Sequence, residues 1–227
     1  MATRWLFALA ANKTPTLEEG AALLGLPLDT AACERLRRYQ AELLKWNRRI
    51  NLIARDTTEN QVIENHFLDS LTLMPLLSQA DSHPVHLLDV GTGAGFPGLV
   101  LACVLPDIQV TLVEPRQKRV SFLRHVDRLL NLSNVTVVAE RIEQRQEAWQ
   151  GRFTHITSRA VAEPAVFLPL IRALATPETR VILMLARQEM LAGIEHLASG
   201  GWQIKRTQAL ALPYSQASRL LAEVGIV

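Results

Sequence analysis

An α/β fold with a mainly parallel sheet, helices on both faces and a helical extension at its amino end is predicted for this 227-residue chain. Three observations predict it. From residue 86 onward, apolar runs of strand length alternate with amphipathic helical stretches, the rhythm of parallel strands joined by crossover helices. Over the first 80 residues strand-like runs are scarce and helical periodicity dominates. Between these parts, a buried strand runs into a glycine-rich turn and then a helix, the arrangement that forms a ligand crevice in open α/β sheets. The chain therefore divides into a helical segment, residues 1–80, and an α/β domain, residues 81–227.

The elements follow in order. Asp29 or Thr30 caps a helix over residues 29–49, with Cys33, Leu36, Leu43, Leu44, Trp46 and Ile50 near one face. Trp46 reads as core rather than as a stacking platform. A second helix spans 59–77 and breaks near Pro75. Asp81-Ser82-His83-Pro84 reads as a turn. Strands follow at 86–90, 109–114, 135–138, 153–157 and 180–185. Helices lie at 97–105, with proline in the first turn, and at 116–130, 163–175 and 189–198. Residues 202–210 and 219–227 supply a closing antiparallel pair.

Composition excludes several classes. At 48% hydrophobic and 20% charged residues, the chain buries an ordinary core and is neither disordered, collagen-like nor a disulfide-stapled miniprotein. Cys33 and Cys103 stand far apart with no ligand spacing around them, so no metal site is predicted and both read as reduced packing thiols. No apolar run is long enough for a membrane span. Trp5 to Ala11 is apolar but follows a single arginine without a convincing cleavage site, so a cytoplasmic protein is predicted. The net charge of +2 conceals an uneven distribution. Residues 31–55 hold seven Lys/Arg against two Glu, and residues 116–128 hold five Lys/Arg against one Asp. Two basic segments on one cleft would favour nucleic acid.

The strongest motif is Asp89-Val90-Gly91-Thr92-Gly93-Ala94-Gly95-Phe96-Pro97-Gly98. Gly93, Gly95 and Gly98 formally satisfy G-x-G-x-x-G, so a dinucleotide fits this much. Asp89 favours a different ligand, because a carboxylate at the strand end repels a pyrophosphate by about a kcal/mol or more. S-adenosylmethionine carries a sulfonium and an ammonium instead, and an acid helps both. Glu114, at the end of the next strand, suits the two hydroxyls of a ribose. Ala139 and Glu140, after the third strand, fall where the adenine edge lies, although Glu140 alone equally fits a solvated helix-start acid. The candidate cofactor residues are thus Asp89, Gly91, Thr92, Gly93, Gly95, Phe96, Glu114, Ala139, Glu140 and Arg159. Neither the Asn/Asp-Pro-Pro-aromatic motif of amine methylation nor a suitably placed cysteine nucleophile is present. Thr157-Ser158-Arg159-Ala160 follows strand four, and an arginine there suits a phosphate or a guanine edge.

Over residues 41–159 the chain resembles the bacterial 16S ribosomal RNA guanine-N7 methyltransferases, also called glucose-inhibited division protein B. The marks are Lys45-Trp46-Asn47 with Asn51-Leu52, His66 with Asp69-Ser70, the glycine loop continued by Phe96-Pro97-Gly98, Lys118-Arg119 with Phe122-Leu123, and Ser158-Arg159-Ala160. The resemblance implies a Rossmann-like S-adenosylmethionine-dependent methyltransferase domain with a seven-stranded sheet behind the helical segment. It implies methylation of N7 of a guanosine in the decoding-region loop of the small-subunit RNA. It also implies that Asn51, Arg141 and Arg159 serve substrate and activity. Three positions depart from the family pattern. Thr154 stands where an aspartate is usual, Met184-Leu185-Ala186-Arg187 lacks the usual lysine, and the chain ends Gly225-Ile226-Val227 without a final lysine.

Guanine N7 bears a lone pair and no proton, so direct in-line transfer without a general base is expected. His66 and Asp69, three apart on one helix, read as a structural pair or a cap over the cleft rather than as acid and base. The expected partner is 16S rRNA, in the small subunit or an assembly intermediate of it, and the expected state is a monomer. Two other readings stay open: an RNA-binding or assembly protein of altered activity, and a methyltransferase for a small molecule or protein. The second of these predicts no basic face.

Overall fold

A computed structural model describes residues 16–78, 84–159 and 163–227. The apolar start at Trp5 to Ala11, the turn residues Asp81, Ser82 and His83, and Ala160 lie outside the described residues. Seven strands form one sheet: β1 (His86–Val90), β2 (Gln109–Val113), β3 (Val135–Val138), β4 (His155–Ser158), β5 (Arg180–Leu185), β6 (Trp202–Ala211) and β7 (Ser218–Ile226). Their order is β3-β2-β1-β4-β5-β7-β6, with β7 antiparallel to both neighbours and the other pairings parallel. The strand order reverses between β1 and β4, which places the ligand crevice at the carboxyl ends of those strands.

Alternation along each strand feeds two apolar layers. Leu87, Val110, Leu112 and Ile182 join one cluster, while Leu88, Val90, Val113, Val181 and Leu183 join the other. The first layer is covered by α1 (Leu17–Leu23), α2 (Thr30–Asn47), α6 (Gly98–Val104) and α7 (Gln117–Leu130), the second by α8 (Pro164–Ile171) and α9 (Ala192–Glu195). Leu36, Tyr39, Leu43, Phe67 and Leu71 of the helical segment belong to the same cluster as Leu87 and Leu99 of the α/β part.

Asp89 alternates onto the first face together with Leu87, and there it meets the start of α6. A Cβ on Gly98 would stand 2.6 Å from Leu112 and 2.8 Å from the Asp89 side chain. Only glycine lets helix and strand approach this closely.

The helix expected over 59–77 is instead four pieces. Thr58 caps α3 (Glu59–Val62) through a reciprocal bond with Gln61, a π-helical turn follows (Ile63–Leu68), then α4 (Asp69–Leu71) and α5 (Met74–Ser78). Pro75 has no N–H and would clash with the carbonyl four residues back, so the chain stops at Leu71 and restarts with the proline in its first turn. The helix expected over 189–198 is likewise divided, into 3-10 turns on either side of the short α9. Helix α1, capped by Thr16, was not expected from the sequence.

Candidate functional site

Three cavities open along the carboxyl edge of the sheet. The largest, about 890 Å³, is lined by Gly91, Gly93, Phe96, Glu114, Arg119, Glu140, Arg141, Ile142 and Arg159 among others. A second, about 650 Å³, is lined by Arg49, Asn51, Arg55, Arg116, Lys118 and Arg119. A third, about 500 Å³, lies over the ends of β4, β5 and β7. Arg116 and Arg119 line both the first and the second, and Arg159 lines both the first and the third.

The glycine loop is shaped from behind by Asp89. Its Oδ2 accepts hydrogen bonds from the Thr92 hydroxyl at 2.6 Å and the Gly98 N–H at 2.8 Å. Its Oδ1 is buried with no partner. Asp89 and Thr92 are both buried, and neither is among the residues lining the cleft, so they act through the loop. Gly95 takes φ +104, and a Cβ there would run into Leu99 and the Tyr39 hydroxyl, which donates to the Ala94 carbonyl. Gly95 thus serves the backbone and does not line the cleft.

Glu114 closes the loop from the front. Its Oε2 accepts from the Gly93 N–H at 3.1 Å and its Oε1 from the Arg116 N–H at 2.9 Å, with Arg119 Nη1 3.6 Å away. Each carboxylate oxygen keeps a further lone pair. That capacity can receive the two hydroxyls of a ribose.

The donor set fits S-adenosylmethionine. The cleft is of ordinary ligand size. It holds an acid with spare acceptor capacity, and behind its loop lies a buried carboxylate oxygen with no hydrogen-bond partner among the described residues. Burial pushes the Asp89 carboxyl up to about 6, against the opposing bonds from Thr92 and Gly98. This raised value stabilises the fold at low pH, fully below about 4, and the contribution is lost as pH rises through about 6. A cationic ligand prefers the ionised acid. Calorimetry between pH 8 and 5 is therefore expected to show S-adenosylmethionine affinity falling below pH 6, with the fall absent in Asp89→Asn. A flat profile in the parent protein would count against it.

Arg159 is clamped from the helical segment. Its Nη1 donates to the Asn65 carbonyl at 2.8 Å, its Nη2 lies 2.9 Å from His66 Nδ1, and Asp69 Oδ2 is 3.5 Å away. An arginine only donates, so Nδ1 accepts and the imidazole proton sits on Nε2. Burial, reinforced by the arginine, lowers His66 to about 3, so the ring is neutral near pH 7. The ring stacks on Phe96 at 4.9 Å, and the guanidinium lies 4.9 Å from the same phenyl ring. Asp69 Oδ1 accepts from Arg219 Nε of β7 at 2.8 Å. The His66/Asp69 pair thus forms a clamp on Arg159, and His66 reaches the cleft wall.

The remaining predicted residues fall in different places. Arg141 and Glu140 line the cofactor cleft, and Glu140 holds Arg145 in a bidentate pair at 2.5 and 2.6 Å. Ala139 precedes them and does not line the cleft. Asn51 lies in the basic cavity, where its Oδ1 accepts from Arg55 Nε at 2.9 Å. Asn47 explains that placement. Its Oδ1 accepts from the backbone N–H groups of Leu52 and Ile53, which turns the chain so that those two line the cofactor cleft and Asn51 faces the basic cavity. Of the departures from the family pattern, Thr154 is spent on the backbone of His86 at the amino end of β1, away from the cleft. Ala186 and Arg187 line the third cavity.

Sequence reasoning missed Arg119, Asn65 and Arg219. Only the run Lys118-Arg119 carried a local signal. Cys33 and Cys103 are free and buried. No helix among the described residues is long and apolar enough to cross a membrane.

The family described as rRNA small subunit methyltransferase G matches residues 32–217. A ribosomal RNA small subunit methyltransferase G of Desulfotalea psychrophila is 41% identical over 209 residues, covering 90% of this chain and 94% of that one. One of the same description from Geobacter sp. is 33% identical over 212 residues, covering 92% and 95%. Among solved structures, MtNAS in complex with S-adenosylmethionine superimposes with a TM-score of 0.57 at 17% identity, covering 97% of this chain and 88% of that one. TrmN from Thermus thermophilus superimposes at 0.54 and 17% identity, covering 73% and 53%. At such identities these two show the fold alone.

Proposed function

The chain belongs to the rRNA small subunit methyltransferase G family, and from that membership we propose that it methylates N7 of a guanosine in 16S ribosomal RNA. The observation that carries the RNA part is the pair Arg116 and Arg119, common to the cofactor cleft and the basic cavity. The cofactor site therefore opens onto a wall of five cationic side chains, and Arg49, Arg116 and Lys118 have no ion pair among the described residues. A small-molecule enzyme has no use for such a wall, whereas an RNA backbone does.

S-adenosylmethionine, when bound, supplies a methyl group made electrophilic by its sulfonium. Glu114 would hold the ribose hydroxyls, the backbone at Gly91 and Gly93 would let the ligand approach, and Val113, Ile142 and Leu170 of the cleft lining would offer apolar contact to the adenine. Arg159 would orient the acceptor from the boundary of two cavities. Guanine N7 has no proton to lose, which suits a site whose histidine uses its Nδ1 lone pair on Arg159. Catalysis here is positioning and electrostatics. The proposed substrate is the RNA of the small subunit or of an assembly intermediate of it, and the proposed enzyme is a cytoplasmic monomer.

Mapping N7-methylguanosine in 16S RNA from cells with and without the gene tests the reading, and an unchanged map would sink it. For the basic cavity, Arg49→Ala with Lys118→Ala is expected to lower the salt dependence of RNA binding by about one logarithmic slope unit for each phosphate no longer neutralised. Filter binding from 50 to 200 mM salt reads this out, and parallel slopes would show that neither side chain meets a phosphate.

A further inference from the structure

We propose that Glu163 is the residue that selects guanine, by accepting hydrogen bonds from its N1–H and N2 amino group in the third cavity. The proposal rests on the RNA methyltransferase reading above and names the base-recognition element of the same site.

The third cavity is lined by Ser158 and Arg159 from the end of β4, Leu185 and Arg187 from the end of β5 and beyond, Glu163, Phe167 of α8, and Met190. At about 500 Å³ it has room for a nucleoside, and its apolar members offer the surface against which an extruded base packs. It meets the cofactor cleft at Arg159, the residue common to both linings. A guanine whose N7 is to receive a methyl must present its N7 edge at that boundary. Its N1/N2 edge lies on the opposite side of the ring and therefore meets the part of the lining remote from the cofactor cleft.

That edge carries two donors, and a carboxylate matches them. Two acids line the cavity. Asp69 is committed, since one oxygen accepts from Arg219 and the other faces Arg159. The Ser158 hydroxyl donates to the Val90 carbonyl. Glu163 is exposed, stands at the start of α8 and has no ion pair among the described residues. It is the lining acid with both oxygens available. Adenine would set its N1 lone pair against this carboxylate, so the same contact rejects it.

The test uses the whole protein and 16S RNA, ligated to carry guanosine or inosine at the mapped position, both free and assembled into small-subunit particles. Inosine keeps N7 and N1–H but lacks the N2 amine. The parent protein is expected to methylate guanosine with kcat/KM about tenfold or more above inosine. Glu163→Ala is expected to lower the guanosine value to near the inosine value, bringing the ratio close to one. Glu163→Gln, which keeps one acceptor oxygen, is expected to fall between. Unchanged S-adenosylmethionine affinity in both variants shows that fold and cofactor site persist. A parent that does not discriminate, or a Glu163→Ala that still does, would overturn the proposal. A parent that makes no N7-methylguanosine on any of these RNAs would overturn the reading beneath it.

Discussion

Glu114→Gln is expected to weaken S-adenosylmethionine binding about 100-fold. The carboxylate sits 2% exposed at the end of β2 and has two tasks. It anchors the Gly93 and Arg116 N–H groups, and it keeps lone pairs for a ribose. Hydrogen bonds to a charged acceptor are worth about 1.5–3 kcal/mol each. Losing the charge under two ribose bonds thus removes about 3 kcal/mol, roughly two decades in Kd. Glutamine also aims an NH2 at one of the two backbone donors, which should lower the melting temperature of the free protein by several degrees. Calorimetry reads the first effect and thermal denaturation the second. An affinity within threefold of the parent would show that Glu114 serves the loop alone.

The second large effect concerns Arg159. Arg159→Ala should reduce kcat for methyl transfer by about 10²–10³, the usual consequence of removing one positioned donor from a reacting centre. Cofactor affinity should change far less, because Glu114 and the glycine loop are untouched. Arg159→Lys should not rescue. Asn65 O, His66 Nδ1 and Asp69 Oδ2 are arranged for a planar fork, and an ammonium cannot reach all three. Asp69 keeps Arg219 in either variant, so the fold should survive with a loss of about 1–3 kcal/mol, less than that of a fully broken buried pair. Single-turnover kinetics at saturating cofactor would decide, and a kcat within tenfold of the parent would remove Arg159 from the acceptor side.

The sheet was legible because its causes are local. Strands β1, β3 and β5 have the bounds that their apolar runs predict, and the closing pair pairs antiparallel as expected. The Asp89 to Gly98 loop was legible because positive φ and close approach require glycine at fixed spacing. What was not legible depends on partners distant in sequence. Asp89 was expected beside the ligand, yet it faces Thr92 and Gly98, because its side of β1 lies beneath α6. Asn51 was expected to serve the substrate, and its place in the basic cavity was not legible, because Asn47 turns the backbone between them. The π-helical turn spans only Ile63–Leu68, and the one-residue shift that its extra residue makes in the apolar pattern is too short to be told from an ordinary helix. That shift accompanies Asn65 O and His66 meeting Arg159 from one turn of helix.

Two long-range clasps set the order in which this molecule can be completed during synthesis. Glu64 Oε1 accepts from the Tyr214 and Ser215 N–H groups, and Asp69 accepts from Arg219, in each case across about 150 residues. The glycine loop, Glu114 and Arg159 all leave the ribosome before either partner segment exists. A nascent chain can therefore assemble β1 to β4 and their cofactor contacts while the helical turn that clamps Arg159 still lacks its second support. Premature termination before residue 214 would remove both clasps together with β7, whose Leu221, Ala222, Val224 and Ile226 belong to the two apolar layers. Such a chain would carry all its cofactor-binding residues, yet both the sheet and the clamped arginine would lack their last supports, which lie far in sequence from the cofactor cleft.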